Sequence, residues 1–401
     1  MPEHIHLAVA LDGAGWHPAA WREPAARPRE LFSPRYWTDL VRTAERGLLD
    51  LVTIDDTLAL QTGTRGVPDE RVDQVRGRLD ALLVASFLAP LTSRIGLVPT
   101  VTTTHTEPFH VSKALATLDH NSRGRAGWQV RVSAQPAEAA HFGRRSVPGW
   151  DAARLGTDEL PAELADLFDE AADVVEVVRR LWDSWEDDAE IRDVATRRFI
   201  DRSKVHRIDF EGRFFSVRGP SITPRPPQGQ PVVAVLAHRR VPYELAARSA
   251  DLVFVTPTPA RGAEAVLGDV AAAVAAVDRT EEPLHVYGDV VVALDGPGES
   301  GADRLRRLDD VAGEPYTSDT TVFGGSAAEL ADLIASWHAL GYRGVRLRPA
   351  ALPDDLDRIV TDLVPELQRR GLHRAAYPED SSLRGLLGLP TTVPNRYAEV
   401  R

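Results

Sequence analysis

The 401-residue chain has no cysteine, one methionine and only two lysines, Lys113 and Lys204, beside 45 arginines. The absence of cysteine excludes disulfides, iron–sulfur clusters, cysteine-ligated zinc and thiol nucleophiles. Lys113 lies near a predicted helix start and Lys204 in an arginine-rich segment, so neither has the desolvated setting of a Schiff-base lysine. Because the chain has so few nucleophiles of its own, any chemistry is most simply explained by a bound cofactor.

Long apolar runs and excess positive charge are also absent. No run of 18 apolar residues occurs, and the first four residues do not start a signal peptide, so we expect a cytoplasmic protein without a membrane partner. The formal net charge of −12 argues against nucleic acid and anionic membranes, since both need a basic surface. The 43% hydrophobic and 26% charged residues are typical of a globular protein with a large core.

Eight short apolar runs alternate with segments of helical period. Their continuous Val, Leu and Ile are typical of parallel strands buried on both faces. Eight alternating β and α units predict one α/β domain over residues 1–401, a (β/α)8 TIM barrel. The predicted strands are Leu7–Leu11, Leu51–Ile54, Ile95–Val101, Gly127–Val132, Val232–Leu236, Leu252–Val255, Leu284–Leu294 and Val345–Leu347.

Several predicted helices begin and end at residues that favour helix termini. Ser33-Pro34 marks the start of one helix and Gly47 its end. Two segments depart from the alternation. An Asp/Arg-rich stretch at about 184–230 is interpreted as an insertion with a hairpin at Arg207–Val217, and a tail from about 372 is expected to wrap the surface or a partner. The other predicted helices are Arg78–Leu91, the apolar stripe from Leu164 to Leu181, Ser326–Leu340 and Asp354–Arg369.

The fourth predicted strand is the most informative segment. It follows a helix and a glycine-containing turn, and it ends on Gln129, Arg131 and Ser133. Packing does not require polar groups at the end of a strand that is buried on both faces. They indicate a site at the carboxyl end of the strand, where barrel enzymes keep their chemistry.

The same segment, Ala114–Ser133, resembles the signature of the luciferase-like flavin monooxygenases. The likeness is to the branch that acts on nitrilotriacetate, EDTA, dibenzothiophene sulfone and a pristinamycin precursor. It covers most of the chain in order, although each motif alone is weak. Further matching motifs are Trp16-His-Pro-Ala-Ala-Trp-Arg22, Ala44-Glu-Arg-Gly47, Arg94-Ile-Gly-Leu97, Leu181-Trp-Asp-Ser-Trp185, Pro224-Arg-Pro-Pro-Gln-Gly229 and Pro365-Glu-Leu-Gln-Arg-Arg-Gly371.

The resemblance implies a cofactor, a reaction and partners. Reduced FMN, supplied by a separate NAD(P)H:flavin reductase, would react with O2 to give a C4a-(hydro)peroxyflavin that oxygenates a small organic substrate. A homodimer or homotetramer is the family expectation, and no metal site is expected.

The resemblance also implies roles for individual residues. His17 is the catalytic candidate, Asp56 the acid near the flavin and Thr103 a hydrogen-bond partner of its ring, while Gln129, which replaces a family asparagine, is a further cofactor contact. Structural alternatives stay open: a surface loop for His17, a helix cap for Asp56 and an ordinary strand position for Thr103. His105 replaces a family tyrosine and is another candidate for the pocket.

Two departures concern the flavin phosphate. A His/Tyr pair that reaches it in the family is replaced by Leu164 and Phe168, and a Gly/Ser turn by His238-Arg239-Arg240. Small residues wrap a phosphate with backbone N–H groups, whereas arginine binds it through its guanidinium. Either His238, Arg239 or Arg240 holds the phosphate, or the phosphate site is lost.

Three alternatives therefore remain. An F420-dependent hydride-transfer oxidoreductase shares the barrel, and its polyanionic cofactor could use the His-Arg-Arg turn. A barrel that has lost flavin binding could act as a non-catalytic subunit. A metal-dependent hydrolase would use His4 and His6, but these precede the first strand and so lie at its amino end.

Overall fold

The computed structural model describes residues 4–62, 69–148, 161–277, 279, 282–379 and 382–398. Its strands are β1 His6–Leu11, β2 Leu51–Ile54, β3 Gly96–Thr102, β4 Gly127–Arg131, β5 Glu190–Asp193, β6 Arg198–Ile200, β7 Phe210–Glu211, β8 Ser216–Val217, β9 Val232–Ala237, β10 Leu252–Val255, β11 His285–Leu294, β12 Thr321–Gly325 and β13 Gly344–Pro349. Its α-helices are α1 Pro34–Arg46, α2 Ala81–Leu88, α3 Pro108–Ser122, α4 Pro136–Phe142, α5 Ala162–Asp183, α6 Arg240–Ser249, α7 Ala263–Ala276, α8 Gly301–Ala312, α9 Ala327–Leu340, α10 Asp354–Arg358, α11 Val364–Arg369 and α12 Leu383–Leu386.

Eight parallel strands close into a barrel, in the order β1, β2, β3, β4, β9, β10, β11, β13 and back to β1. The predicted TIM barrel is therefore confirmed, and each predicted strand overlaps an observed one. Nearly all barrel-strand residues are buried, which explains their continuous apolar sequence.

Strand β12, which was not among the predicted strands, adds a ninth parallel strand to this sheet. It pairs with the second half of β11, from Val290 opposite Thr321 to Leu294 opposite Gly325, while the first half of β11 pairs with β10. With two glycines and only half-buried residues, β12 lacks the apolar pattern of a core strand.

The observed helix ends are set by nearby residues, and two of the predicted helices differ from the observed ones. The predicted helix Arg78–Leu91 begins only at Ala81, because the Asp80 side chain caps it by accepting from the Leu83 N–H at 2.9 Å. Arg78 is thereby left in the loop. The predicted helix Asp354–Arg369 is interrupted by a π-helical turn at Ile359–Leu363, just before Pro365, which has no N–H to continue the ladder.

The insertion and the tail take different positions. The insertion after α5 carries two small antiparallel pairs, β5–β6 and β7–β8, the second within the predicted hairpin. Part of the tail is not on the surface: Leu383, Leu387 and Leu389 pack against barrel residues such as Ala8 and Phe254. They close the amino end of the barrel, so the expectation of a surface tail is wrong for this part. No helix of the described residues is long and apolar enough to cross a membrane.

Candidate active site

A cavity of about 1310 Å³ lies at the carboxyl ends of the barrel strands. We call it the main cavity. A second one of about 310 Å³, the side pocket, shares six lining residues with it: Trp16, Gln61, Thr62, Arg78, Tyr316 and Thr317. The main cavity is lined by Trp16, Asp55, Asp56, Thr57, Ala59, Leu60, Gln61, Thr62, Arg78, Arg131, Gln135, His238, Arg239, Thr256, Thr258, Arg261, Tyr316, Thr317, Ser318, Asp319 and Arg348.

Carboxylates from β1 and β2 converge on Arg78 at one wall. Nη2 of Arg78 lies 2.6 Å from Oδ2 of Asp12 and 3.2 Å from Oδ2 of Asp55. Burial raises the pKa of Asp55 above its ordinary value, and the nearby Asp12 adds to this, although Arg78 opposes it. Because a single guanidinium faces two carboxyl groups, protonation of Asp55 is favoured at this wall.

Asp56 lines the same wall, as its candidate role requires. Its carboxylate accepts from the backbone N–H groups of Thr57 at 2.7 Å and Ala81 at 3.0 Å, which ties the loop after β2 to the start of α2. Burial raises its pKa more than these hydrogen bonds lower it. Asp56 therefore lines the cavity, as a residue near the flavin would, and it also caps the start of α2, as in the structural alternative.

Arg131 enters the cavity from the end of β4. It lies 3.0 Å from Oε1 of the buried Glu138 on α4, and this carboxylate also accepts from the Leu58 N–H at 3.2 Å and from the Thr57 hydroxyl. Burial would raise the pKa of Glu138, but Arg131 and the hydroxyl donors outweigh it and hold the pKa below its ordinary value. The pair joins the loops that follow β2 and β4.

Gln129 lies deeper, inside the barrel. Its amide donates to the Thr100 hydroxyl at 3.0 Å and accepts from Nη1 of Arg346 at 2.6 Å. Its side chain is buried and does not line the main cavity. Gln129 therefore supports Arg346.

From Arg346 the interior network continues up to the cavity floor. Arg346 and Arg348 both bind the buried Asp289, through Nε at 2.9 and 2.8 Å, and Arg348 also donates to Asp319 at 2.6 Å. The two carboxylates raise the pKa of Arg348 in spite of its burial, so it stays charged. Its guanidinium lies 4.7 Å from the Trp16 ring centre.

His17 is 1% exposed and both of its ring nitrogens are engaged. Nδ1 accepts from the Ala19 N–H at 3.1 Å, so Nε2 carries the proton and donates to Asp309 at 3.0 Å. Burial lowers the pKa of His17 more than Asp309 raises it, so the ring is neutral at pH 7. Asp309 also accepts from the Tyr316 N–H at 2.7 Å, and the His17 ring therefore anchors the loop that carries Tyr316.

Thr103 and His105 follow β3. The buried Thr103 hydroxyl donates to the Arg131 carbonyl at 3.1 Å and does not line the main cavity. His105, at φ 73°, stacks on Phe142 with ring centres 5.1 Å apart and also lies outside the main cavity.

The opposite wall is cationic. His238 and Arg239 line the cavity beside Thr258 and Arg261, and Arg261 donates to the His238 carbonyl at 3.0 Å. Arg239 is the N-cap of α6, and no side chain caps that helix. Arg240 points away, 61% exposed, and pairs with Glu244 at 3.5 Å.

The structure brings together several cavity residues that sequence reasoning missed. Arg78, Arg261, Tyr316, Asp319 and Arg348 all line the main cavity. Only Arg348 had a signal, because it follows the predicted strand Val345–Leu347 directly and would share a face with Arg346 if the strand continued. Leu164 and Phe168 lie on the apolar stripe of α5, as predicted, and do not reach the cavity. His6 bonds Asp50 at 3.1 Å at the amino end of β1, far from a barrel site.

Comparisons with known proteins identify the protein family to which the chain belongs. The family model described as luciferase-like monooxygenase matches residues 14–308. Nitrilotriacetate monooxygenase component A from Aminobacter aminovorans is 31% identical over 96% of this chain and 97% of its own. Dibenzothiophene-sulfone monooxygenase from Rhodococcus erythropolis is 28% identical, covering 92% and 93%. The crystal structure of long-chain alkane monooxygenase shares the fold, with a TM-score of 0.80 at 23% identity, covering 97% of this chain and 96% of the other.

The chain therefore belongs to the luciferase-like monooxygenase family. Its position among the nitrilotriacetate and dibenzothiophene-sulfone monooxygenases confirms the branch that the sequence motifs indicated. It is an enzyme of that class, a flavin-dependent monooxygenase.

Proposed function

We propose that the enzyme uses reduced FMN, delivered by a separate NAD(P)H:flavin reductase, to insert one atom of O2 into a small organic substrate. The observation that carries this proposal is the cationic wall of the main cavity, where Arg239 lies beside the uncapped start of α6. A cavity of about 1310 Å³ with one cationic wall suits a molecule that has a flat ring at one end and a phosphate at the other.

The residues of the cationic wall fit a phosphate. The first N–H groups of a helix have no partner inside the helix, and those of Arg240 and Val241 precede Pro242, which has none. Among the cavity-lining arginines of the described residues, Arg239 alone shows no acidic partner. Arg239 and the α6 start would together hold the phosphate that Leu164 and Phe168 cannot reach.

The ring would lie between the remaining walls, near Asp56 and Trp16. Bound reduced FMN would supply the two electrons that oxygen activation requires, so that one oxygen atom enters the substrate and the other leaves as water. Asp55 and Asp56, whose pKa values are raised, would hold or release a proton at this wall.

Three predicted site residues would act through others. Gln129 positions Arg346, Thr103 positions the end of β4, and His17 holds the Tyr316 loop over the cavity. We therefore propose Asp56, His238 and Arg239 as cofactor contacts. His17, Thr103 and Gln129 would have positioning roles.

A homodimer or homotetramer remains a prediction, which native mass spectrometry tests.

The test is an anaerobic titration of the purified protein with reduced FMN and, in parallel, with reduced F420. Saturable binding of reduced FMN, with reoxidation of the bound flavin by O2 at a rate that differs from that of free reduced FMN, supports the proposal. Preferential binding of F420 would support hydride transfer, because the cationic wall could also serve the polyanionic tail of that cofactor. Binding of neither would contradict the proposal.

A further inference from the structure

The side pocket has aromatic walls that are held in place by hydrogen bonds. Nε1 of Trp16 donates to the Ala10 carbonyl at 3.1 Å, and Nε1 of Trp21 donates to the Asp73 carbonyl at 3.0 Å. Tyr316 packs on the His17 ring at 5.2 Å. Three rings thus face a space of about 310 Å³ that opens beside the main cavity.

The charges of the side pocket are balanced. Asp12 accepts two hydrogen bonds from Arg78, at 2.6 and 3.1 Å, and Glu314 pairs with Arg71. His17 is neutral, as shown above. Besides His17 and the Tyr316 phenol, the ionisable side chains among the described lining residues are Asp12, Arg78 and Glu314, so an anion entering this pocket finds no unpaired cation among them.

A cationic substrate is disfavoured as well. One guanidinium already lies over each indole, Arg348 at 4.7 Å from the Trp16 centre and Arg22 at 5.1 Å from the Trp21 centre. A substrate cation would approach rings that are already in contact with positive charge. An uncharged ring meets no such repulsion and can pack on the aromatic walls.

The Gln74 amide of the side pocket can orient such a ring. The Gln61 amide is used by Gly77, which donates to it at 2.9 Å and accepts from it at 3.1 Å. The half-buried Gln74 makes no side-chain hydrogen bond within the described residues. Its amide can donate to or accept from a polar atom of the substrate.

We propose that the side pocket is the substrate site and that it selects a compact, uncharged, planar ring bearing a hydrogen-bonding group. This inference rests on the proposed function, because the ring would be oxygenated from the adjoining main cavity. It separates the chain from its relative named for nitrilotriacetate, a polycarboxylate, and places it with the relative named for an aromatic sulfone.

The test uses the full chain without flavin, so that it does not depend on cofactor binding. Dibenzothiophene sulfone is the uncharged probe, its binding followed by quenching of tryptophan fluorescence and by calorimetry. Nitrilotriacetate is the anionic probe, scored by its power to displace the bound sulfone. We expect the sulfone to bind and nitrilotriacetate to displace it only at about a hundredfold higher concentration. No sulfone binding, or displacement at equal concentration, would overturn the proposal.

Two variants locate the binding site. Trp21, which lines the side pocket and not the main cavity, is changed in Trp21→Leu, and loss of one aromatic contact should weaken sulfone binding by about threefold to tenfold. Gln74→Arg adds an unpaired cation and should let nitrilotriacetate compete about tenfold better. The matched control is Val194→Arg, on a loop position that is 91% exposed and far along the insertion.

These outcomes separate the two proposals. Unchanged sulfone binding in Trp21→Leu, or unchanged nitrilotriacetate competition in Gln74→Arg, would overturn the substrate inference. Binding of reduced FMN is measured separately, and its failure would contradict the proposed cofactor without affecting the sulfone result. Both variants should bind reduced FMN like the parent chain.

Discussion

At the scale of single residues, Arg239 and Arg240 are neighbours in the chain with different surroundings. Arg239 lines the main cavity, whereas Arg240 is exposed and paired with Glu244. A charge-assisted hydrogen bond to phosphate contributes about 1.5–3 kcal/mol. Arg239→Ala should therefore weaken reduced FMN binding by about tenfold to a hundredfold in anaerobic titration.

Arg240→Ala is the matched control, since it removes the same side chain one position away. Its affinity for reduced FMN should stay within about twofold of the parent chain. Equal losses in the two variants would mean that general positive charge, not the cavity wall, attracts the cofactor.

The buried His17 predicts a pH dependence of stability. The folded state lowers the pKa of His17, so the unfolded chain binds a proton first as the pH falls below about 6.5. The folded state therefore loses stability as the pH falls through that range. In urea unfolding at pH 7.5 and pH 5.5, His17→Gln should lose less stability between the two values than the parent chain does.

His110→Gln serves as its control, because His110 lies at an exposed helix position. It should leave the loss of stability between pH 7.5 and pH 5.5 as in the parent chain. If His17→Gln keeps the full pH dependence, the ring is not held neutral in the folded protein. Neither substitution changes Asp56 or Arg239. Unchanged binding of reduced FMN at pH 7.5 would therefore show that the main cavity is intact in both variants.

At the scale of elements, local sequence determines most helix ends. At α9 the Ser326 hydroxyl accepts from the Glu329 N–H at 3.2 Å, while the Glu329 carboxylate accepts from the Ser326 N–H at 2.9 Å. Ser-x-x-Glu before an apolar run predicts this capping box from sequence. The interruption before Pro365 also has a local cause, since proline has no N–H to continue the helix, although the predicted helix Asp354–Arg369 ran through it.

Ser326→Ala removes the cap of α9. The free energy of unfolding should fall by about 1 kcal/mol in urea denaturation, because an N–H at the helix start loses its partner. Ser336→Ala, in the same helix, removes an exposed hydroxyl that bonds the Leu333 carbonyl within the helix. That control should stay within about 0.5 kcal/mol of the parent chain, and a loss equal to that of Ser326→Ala would contradict the capping role.

At the scale of the whole molecule, a segment from the end of the chain completes the barrel. Leu383 packs against Leu51 and Val98 at the amino end, beside Gly96, whose missing side chain leaves it room. Arg384 fixes the segment by pairing with Asp251 at 3.3 Å. The barrel core therefore depends on residues more than 370 positions after its first strand, since Leu383 lies 372 positions after Leu11.

Leu383→Ala leaves a cavity at this point. The free energy of unfolding should fall by about 2–5 kcal/mol, as for other fully buried leucines. Leu83→Ala is the matched control, because Leu83 is 68% exposed on α2 and should change stability by less than about 0.5 kcal/mol. Similar values for the two variants would show that the tail does not stabilise the barrel.

The sequence by itself determined the barrel strands, most helix ends and the family, because local patterns of residues carry each of them. Apolar runs such as Val232–Leu236 specify buried strands wherever they lie, and parallel strands joined by helices bring their carboxyl ends to one side. This placed Asp56, His238 and Arg239 at the cavity. The weaker strand β12, with two glycines, carried no such pattern.

Only the tertiary structure decided what each polar side chain does. Gln129 meets Arg346 from 217 positions away, and His17 meets Asp309 from 292. Whether a carboxylate or ring nitrogen faces a ligand or a buried partner depends on these distant contacts, which no local pattern records. The physical reason is that backbone periodicity sets the strands, whereas desolvation and charge pairing across the closed barrel set the site.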